Sequence, residues 1–460
     1  MEKSPGQKDA LFVGVDIGGT KIQATLATAA GEVIKTKRVE TPREGGSEQV
    51  LEAIDQVIGA LLETKKASAQ GIQGIGVGVP GVTDFKRGEV IVTPNMKLGR
   101  FALGPYLQEK FQVPVVVEND CNLGTLGECW IGAARGARSA FGIFVGTGIG
   151  GGFVRKRRLW RGARKAAGEV GHIVMVPNGP LCGCGNRGCL EAVASRSAIE
   201  RQIREALQAG RSSVIAQWLT DGAQVIRSKM LRNALDAGDD LIRDILRQAA
   251  EFLGYACLTV RHLFDPGVLV LGGGVIEACG DYILPIVREI VLADKLPGAG
   301  PGGEVVASQL GDDAVVLGAV ALVAQKTGFQ PFRRARSTRP IYPVIEVPSF
   351  GVVRTPKKTY STDIYILADG RIQRRKKKRL AKFGASGHLV SLREMQYLCE
   401  GNPEVVFVGV GHSSQVILGP GVEEFLRASG ISYHLVETSH LPEAFNSCTQ
   451  RKAAIIHVTC

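Results

Sequence analysis

Between Glu169 and Glu191 the chain gathers one imidazole, His172, and three thiols, Cys182, Cys184 and Cys189. One nitrogen and three sulfurs make the donor set of a closed, tetrahedral structural zinc site. Gly183, Gly185 and Gly188 stand between the thiols, where the backbone must turn sharply to aim neighbouring sulfurs at one point. The alternative is free or disulfide-paired cysteines. With ten cysteines in 460 residues, a disulfide framework is not expected and a reducing compartment fits. Glu169 and Glu191 are hard oxygen donors that the zinc set does not need, which leaves them for another role.

Three glycine clusters each follow an apolar run: Asp16-Ile-Gly18-Gly19-Thr20-Lys21, Gly146-Thr147-Gly148-Ile-Gly150-Gly151-Gly152 and Gly272-Gly273-Gly274. Without a Cβ, backbone N–H groups come close to phosphate oxygens, and such loops form anion-binding nests. A plain turn explains any one of them, but three at strand ends point to a polyphosphate. Gly146, Gly148 and Gly151 also satisfy Gly-x-Gly-x-x-Gly, which in a dinucleotide-binding fold opens a helix. Here it leads into Phe153-Val-Arg-Lys-Arg-Arg-Leu-Trp, a charged hairpin, so that reading is set aside. Asn119-Asp120 follows the apolar run Pro114 to Val117, which puts Asp120 at a strand tip where it can accept a proton as a general base. Asn119 can donate and accept hydrogen bonds, as sugar hydroxyls require. The pair can equally cap the following helix, and the two roles are compatible.

The elements that must hold these residues alternate along the chain. Strands are expected at Leu11 to Ile17, around Ile22 to Ala27, and at Ile72 to Val79, Val113 to Glu118, Ala140 to Val145 and Val268 to Leu271. Helical apolar spacing marks residues 47 to 64 and 241 to 264, the latter stopped at Pro266; helices are also expected from Asp120 to Trp130 and from Asp313 to Lys326. This is an α/β pattern with largely buried sheets. No run of about 18 apolar residues occurs and the polar start holds no signal-peptide core, so a soluble cytoplasmic protein is expected.

Glu-x-x-His followed by Cys-x-Cys-Gly-x-x-x-Cys-x-Glu, together with the glycine loops and Asn-Asp, resembles the ROK family of bacterial glucokinases, other hexose and N-acetylmannosamine kinases and sugar-responsive repressors. The resemblance covers about residues 11 to 328. It implies two actin-like, RNase H-like lobes facing across a cleft: residues 11–121 plus the helix 313–328 in one, the zinc-bearing 122–312 in the other. It assigns Asp16, Gly18, Gly19, Thr20 and Lys21 to the β- and γ-phosphates of ATP, with Asp16 near Mg²⁺ through water. Thr147 and Gly148 then lie against the transferring phosphate, and Gly273 and Gly274 near the adenosine. Asp120 becomes the catalytic base; Gly81, Asn95, Asn119, Glu169, His172 and Glu191 hold the hexose, and zinc on His172, Cys182, Cys184 and Cys189 organises the site. Glucose is the expected substrate, and a homodimer the expected assembly. Family repressors carry a helix-turn-helix ahead of the lobes. Ten polar residues before Leu11 are too few for one, so sequence-specific DNA binding is not expected, although a sugar-binding regulator stays open.

Residues 329–343 are rich in Pro and Arg without apolar period and read as a linker, after a 1–10 tail and before a small α/β domain at 344–460. Phe350-Gly, Thr362-Asp363-Ile, Pro403 to Gly411, Glu443-Ala-Phe-Asn446 and the ending around His457 and Cys460 resemble a domain found in an adipogenesis-associated protein and a complex I assembly factor, a family without settled chemistry. Gly409-Val-Gly411 stands where that family often has Gly-Thr-Gly. His457 and Cys460 read as structural side chains on a terminal strand. From Arg333 to Lys382, fifteen Lys and Arg face three acids, an excess equal to the +12 of the whole chain. Within it, Arg374 to Arg379 are six consecutive cations, read either as a solvated loop tip or as a polyanion contact for RNA, a membrane surface or polyphosphate.

Overall fold

The computed structural model describes residues 9–42, 46–93, 99–296, 303–332, 342–356, 358–368, 370–375, 388–399, 403–411 and 415–458. Asn95, Asp369, Lys376 to Arg379 and Cys460 lie outside the described residues. The chain forms two compact units, Met1–Arg333 and Arg334–Cys460. Among the described residues no helix is long and apolar enough to cross a membrane.

The first unit holds two five-stranded sheets. Its strands are β1 (Leu11–Ile17), β2 (Lys21–Thr28), β3 (Val33–Glu40), β4 (Ile75–Val79), β5 (Val82–Asp84), β6 (Glu89–Val92), β7 (Val115–Asn119), β8 (Ser139–Val145), β9 (Ile149–Arg155), β10 (Arg158–Leu159), β11 (Val268–Gly272) and β12 (Glu304–Ala307). One sheet has the order β3-β2-β1-β4-β7 and the other β10-β9-β8-β11-β12. In each, an antiparallel meander is extended by two parallel strands, so one topology is used twice. β1 and β4 are buried almost throughout, and their continuous apolar runs suit strands covered on both faces.

Two helices, Asp120–Trp130 and Ala314–Lys326, pack against each other. Their approach depends on glycine: a Cβ on Gly127 would lie 2.2 Å from the Ala314 carbonyl oxygen, and one on Gly318 would lie 1.8 Å from that of Leu123. Where the backbones pack this closely, no side chain fits. The same helix crosses β1 and β4, burying Val316, Ala319, Val320 and Val323. Burying a side chain of valine or leucine size contributes roughly 1.5–3 kcal/mol, so these contacts fix the Ala314–Lys326 helix firmly against the first sheet, and the helix bearing Asp120 packs on that helix and on β8 and β9 of the second sheet. The expected final helix begins one residue later than read from sequence, because Gly311–Asp313 form a separate 3₁₀ turn. Residues 329–332, read as the start of the linker, pack on this first unit: the Phe329 ring meets Phe12 edge-on at 5.2 Å, and Trp130 Nε1 donates to the Pro331 carbonyl at 3.0 Å.

The second unit has a five-stranded sheet in the order Ile372–Arg374, Ile364–Ile366, Lys452–Ile456, Val405–Gly409, Ser432–Val436. Tyr342 belongs to it, since its hydroxyl accepts from the Lys452 amide at 2.8 Å. One reading of the basic run is corrected here. Arg375 is no solvated cation: it is buried, with Nε 2.8 Å from Glu394 Oε1 and Nη1 3.5 Å from Asp363 Oδ2. A guanidinium can be taken out of water when carboxylates occupy its fork, and these two do. Asp363 also receives His457 Nδ1 at 2.6 Å, which gives His457 a place in this buried polar cluster.

Candidate active site

Asp16 lies near the end of β1, level with Gly78 on the neighbouring strand, and the chain turns sharply after it. The turn is closed by Gly18 N–H donating to the Lys21 carbonyl at 2.9 Å and by Thr41 Oγ1 donating to the Gly18 carbonyl at 2.6 Å. Gly19 and Thr20 are left exposed at its tip. Lys21 reaches Asp312, 2.5 Å away, and so joins the first glycine loop to the turn ahead of the last helix. Glu277, in the first turn of the Gly274–Leu292 helix, feels both: burial and the Asp312 charge push its carboxyl up, and Lys21 pulls it down.

The second loop folds on itself through Gly146 N–H to the Gly148 carbonyl at 2.9 Å. Arg196, at the start of the Arg196–Gln208 helix, donates its backbone N–H to the Gly146 carbonyl and its Nη2 to Thr147 Oγ1, both at 2.9 Å. In the third loop, Gly273 caps the Gly274 helix at φ 86, and a Cβ there would stand 2.7 Å from the Val145 backbone. A positive φ and this contact both require glycine. Val145 immediately precedes the second loop, so the second and third loops are neighbours.

Asn119 caps the Asp120–Trp130 helix, its Oδ1 accepting from Asn122 N–H at 3.0 Å, while its Nδ2 donates to the Gly81 carbonyl at 3.2 Å. Asp120 therefore opens the helix, with Oδ1 receiving the Cys121 amide at 2.8 Å. Its carboxyl is raised above the usual aspartate range, because burial outweighs these donors. Asp16 is pushed up to about 7 by burial and by the Asp120 charge, with Lys21 opposing. Glu169 is raised too, by burial first; His172 lowers it, and the charges of Asp120 and Glu191 raise it. Four carboxylates, Asp16, Asp120, Glu169 and Glu191, are thus linked into one electrostatic group.

His172, Cys182, Cys184 and Cys189 bring one ligand atom each to within 4.8 Å of one another. Cys184 Sγ lies 3.7 Å from Cys189 Sγ, and Cys182 Sγ lies 3.7 Å from His172 Nδ1. A tetrahedron with metal–sulfur bonds of about 2.3 Å has sulfur–sulfur edges of about 3.8 Å. His172 Nε2 faces the other way, 4.0 Å from Glu169 Oε2. Glu191 links this cluster to the second loop: Oε2 accepts from Ile149 N–H at 2.9 Å, and Oε1 lies 3.6 Å from Cys182 Sγ. One of its oxygens is therefore already engaged by backbone.

Sequence reasoning missed Asp312, Glu277, Arg196 and the Glu118–Arg161 pair. Glu118 Oε2 meets Arg161 Nε at 2.5 Å, and its Oε1 accepts from Asn119 N–H and Asn122 Nδ2 at 3.1 and 3.0 Å. The partners of Asp312 and Arg161, and the Thr147 partner of Arg196, lie dozens to hundreds of residues away, with no local pattern to signal them.

The ROK family model matches residues 12–326. The chain belongs to the ROK family. This ROK chain is 35% identical over 319 residues to a glucokinase of Halalkalibacterium halodurans, an alignment covering 69% of this chain and 96% of the relative. A xylose repressor of Caldicellulosiruptor bescii is 30% identical over 312 residues, which cover 68% of this chain and 77% of the repressor. Among solved structures, a ROK glucokinase from Streptomyces griseus in complex with glucose and AMPPNP superimposes with a TM-score of 0.59 at 33% identity, covering 69% of this chain and 100% of that one. The mixed α/β fold of the ROK family is therefore shared, and the relatives support sugar kinase chemistry.

Proposed function

We propose that this chain phosphorylates a hexose, glucose first among them, with ATP as donor and Asp120 as general base. The observation that carries the reading is the place of Asp120: it opens a helix packed between the Ala314–Lys326 helix and the second sheet, and its carboxylate interacts with Asp16 of the first loop and with Glu169 beside the zinc-type cluster. In the reaction a sugar hydroxyl attacks the terminal phosphorus of ATP, the bond to the bridging oxygen breaks, ADP leaves, and Asp120 takes the hydroxyl proton. Asn119 keeps one amide hydrogen for a sugar oxygen after its two structural bonds. Glu169 accepts from hydroxyls on the opposite side, with His172 Nε2 beside it. Glu191 has Oε1 to offer. Gly81 holds Asn119, and Asn95 is assigned to the same wall.

The three loops would receive the nucleotide: Gly18, Gly19, Thr20 and Lys21 at the terminal phosphates, Thr147 and Gly148 at the one transferred, Gly273 and Gly274 towards the adenosine. The Asp120 charge raises the Asp16 carboxyl, so the two like charges act on one another; two such carboxylates are a donor set that fits a divalent cation, and Asp16 would hold Mg²⁺ through water. The cation would neutralise charge on the phosphates. The sulfur and nitrogen positions fit Zn²⁺, which would be structural because all four donors come from protein. The zinc ligand His172 would then carry the order of that loop directly to the sugar.

The xylose repressor relative supports a second reading, a sugar-binding regulator. ADP release from Mg²⁺–ATP, followed by a coupled assay over glucose, mannose, fructose, allose and N-acetylmannosamine, decides between them. The kinase reading expects sugar-dependent ADP release, fastest with glucose. Sugar binding without ADP release would establish the regulator.

The raised Asp120 carboxyl sets the pH behaviour. A base works only when unprotonated, so activity grows as pH rises through its pKa. The acid limb of kcat/KM is therefore expected above the ordinary aspartate value of about 4, and a limb at or below that value in a pH–rate profile would contradict the assignment.

A further inference from the structure

A cavity lies in the first unit, formed by the β9–β10 hairpin and the end of the Ala314–Lys326 helix with the chain that follows it. It encloses about 750 Å³. Lys156, Arg157, Arg158, Arg161 and Lys326 line it, and no carboxylate stands among the described residues that do. Arg161 already has a carboxylate partner in Glu118; the other four cations around the hollow repel one another unless an anion joins them. Its apolar side is supplied by Leu322, Phe329 and Phe332.

The hairpin presents its cations at some cost. Lys156 and Arg157 form its turn at φ 51 and φ 64, a left-handed conformation usually given to Asn or Gly. The turn is tied down by Lys156 N–H to the Arg138 carbonyl at 2.6 Å and by Gln325 Nε2 to the Arg157 carbonyl at 2.9 Å. Arg157 Nη1 donates to the Phe332 carbonyl at 3.1 Å, so the two walls are joined. These bonds leave Lys156 and Arg158 exposed at the hollow, with Lys326 on its other wall. A volume of this size suits a small molecule and excludes a folded macromolecule.

We propose that this hollow binds a small multivalent phosphate compound, its charges on Lys156, Arg158 and Lys326 and any apolar body on Phe329 and Phe332, and that Arg161 reports its occupancy to the helix carrying Asp120. Arg161 lines the hollow and also holds Glu118, whose second oxygen receives the amide of Asn119 and the side chain of Asn122. A phosphate that draws the guanidinium towards it loosens its hold on Glu118, and with it the cap that sets Asp120. Glu118 and Arg161 thereby act as positioning residues. This last step rests on the kinase reading, whereas the site itself does not.

Inorganic pyrophosphate is the probe. Calorimetric titrations use the full chain at low salt after saturation with glucose and a non-hydrolysable ATP analogue, so that the cleft is filled; the analogue's own titration reports on the kinase reading separately. Wild type is expected to bind pyrophosphate. The double reversal Lys156→Glu/Arg158→Glu, and separately Lys326→Gln, are expected to weaken binding at least about tenfold and threefold, with thermal midpoints unchanged. In wild type, binding is expected to weaken steeply with salt. Turnover at saturating substrates is expected to change at least about twofold with pyrophosphate in wild type and not in the double variant. No binding by wild type, or equal binding by all three proteins, overturns the site. Binding with unchanged turnover in an active enzyme overturns the link through Arg161.

Discussion

Asp120→Asn is expected to lower turnover of the hexose by about 10²- to 10⁴-fold, the usual loss when a positioned base is removed. The substitution keeps the side chain's shape and lets the amide oxygen accept from Cys121 N–H as the carboxylate does. It removes proton acceptance alone. Since Asn119 supplies the helix cap, the fold is not expected to suffer. Stability should rise slightly, since a half-buried carboxylate with a raised pKa opposes folding at neutral pH: its native form binds the proton more tightly than the unfolded form, so its contribution weakens as pH rises through that range. Hexose affinity measured without nucleotide should stay within a few fold. Steady-state kinetics and a binding titration on the same preparation check both parts, and near-normal turnover would remove Asp120 from the mechanism.

Cys184→Ala is expected to lower zinc content, thermal stability and hexose binding together. Cys184 is the exposed member of the four-ligand cluster, so loss of its sulfur leaves no void in a core. A hundredfold loss of metal affinity corresponds to about 2.7 kcal/mol of linkage, which in a unit of this size lowers the melting midpoint by roughly 4 °C. The effect should reach the sugar because His172 faces Glu169, and because Glu191 lies between Cys182 and the Ile149 amide. Elemental analysis is expected to find about one zinc per native chain. Native protein without zinc would contradict the metal assignment, and a variant that melts early yet binds glucose normally would separate the metal from the sugar.

Much of this site was legible because its residues sit on local patterns. The spacing of Cys182, Cys184 and Cys189 survives in the folded cluster because the short turns between the thiols are set by the glycines within them. Asn119-Asp120 was legible as a strand tip, and the capping half of its two roles is visible in the Asn119 side chain. Contacts across the sequence were not legible. Lys21 and Asp312 meet only because the last helix returns to β1, and nothing in either segment announces the other. Arg161 reads as one cation beside a charged hairpin until Glu118 is seen against it. The basic run misled for the opposite reason: consecutive like charges suggest a solvated tip, yet of its two described members Arg375 is buried by Asp363 and Glu394, acids 12 and 19 residues away. Charge counts along a chain do not show which cations find partners.

In the proposed reaction a phosphoryl group moves from ATP to a hexose hydroxyl while Asp120 takes the proton. Phosphorus NMR of wild type with Mg²⁺–ATP and glucose tests it most directly, since it identifies the product as well as the rate. A new phosphomonoester resonance on the sugar, growing in step with ADP and absent in Asp120→Asn, is the predicted result. Glucose that binds while ATP and the phosphorus spectrum stay unchanged would contradict it.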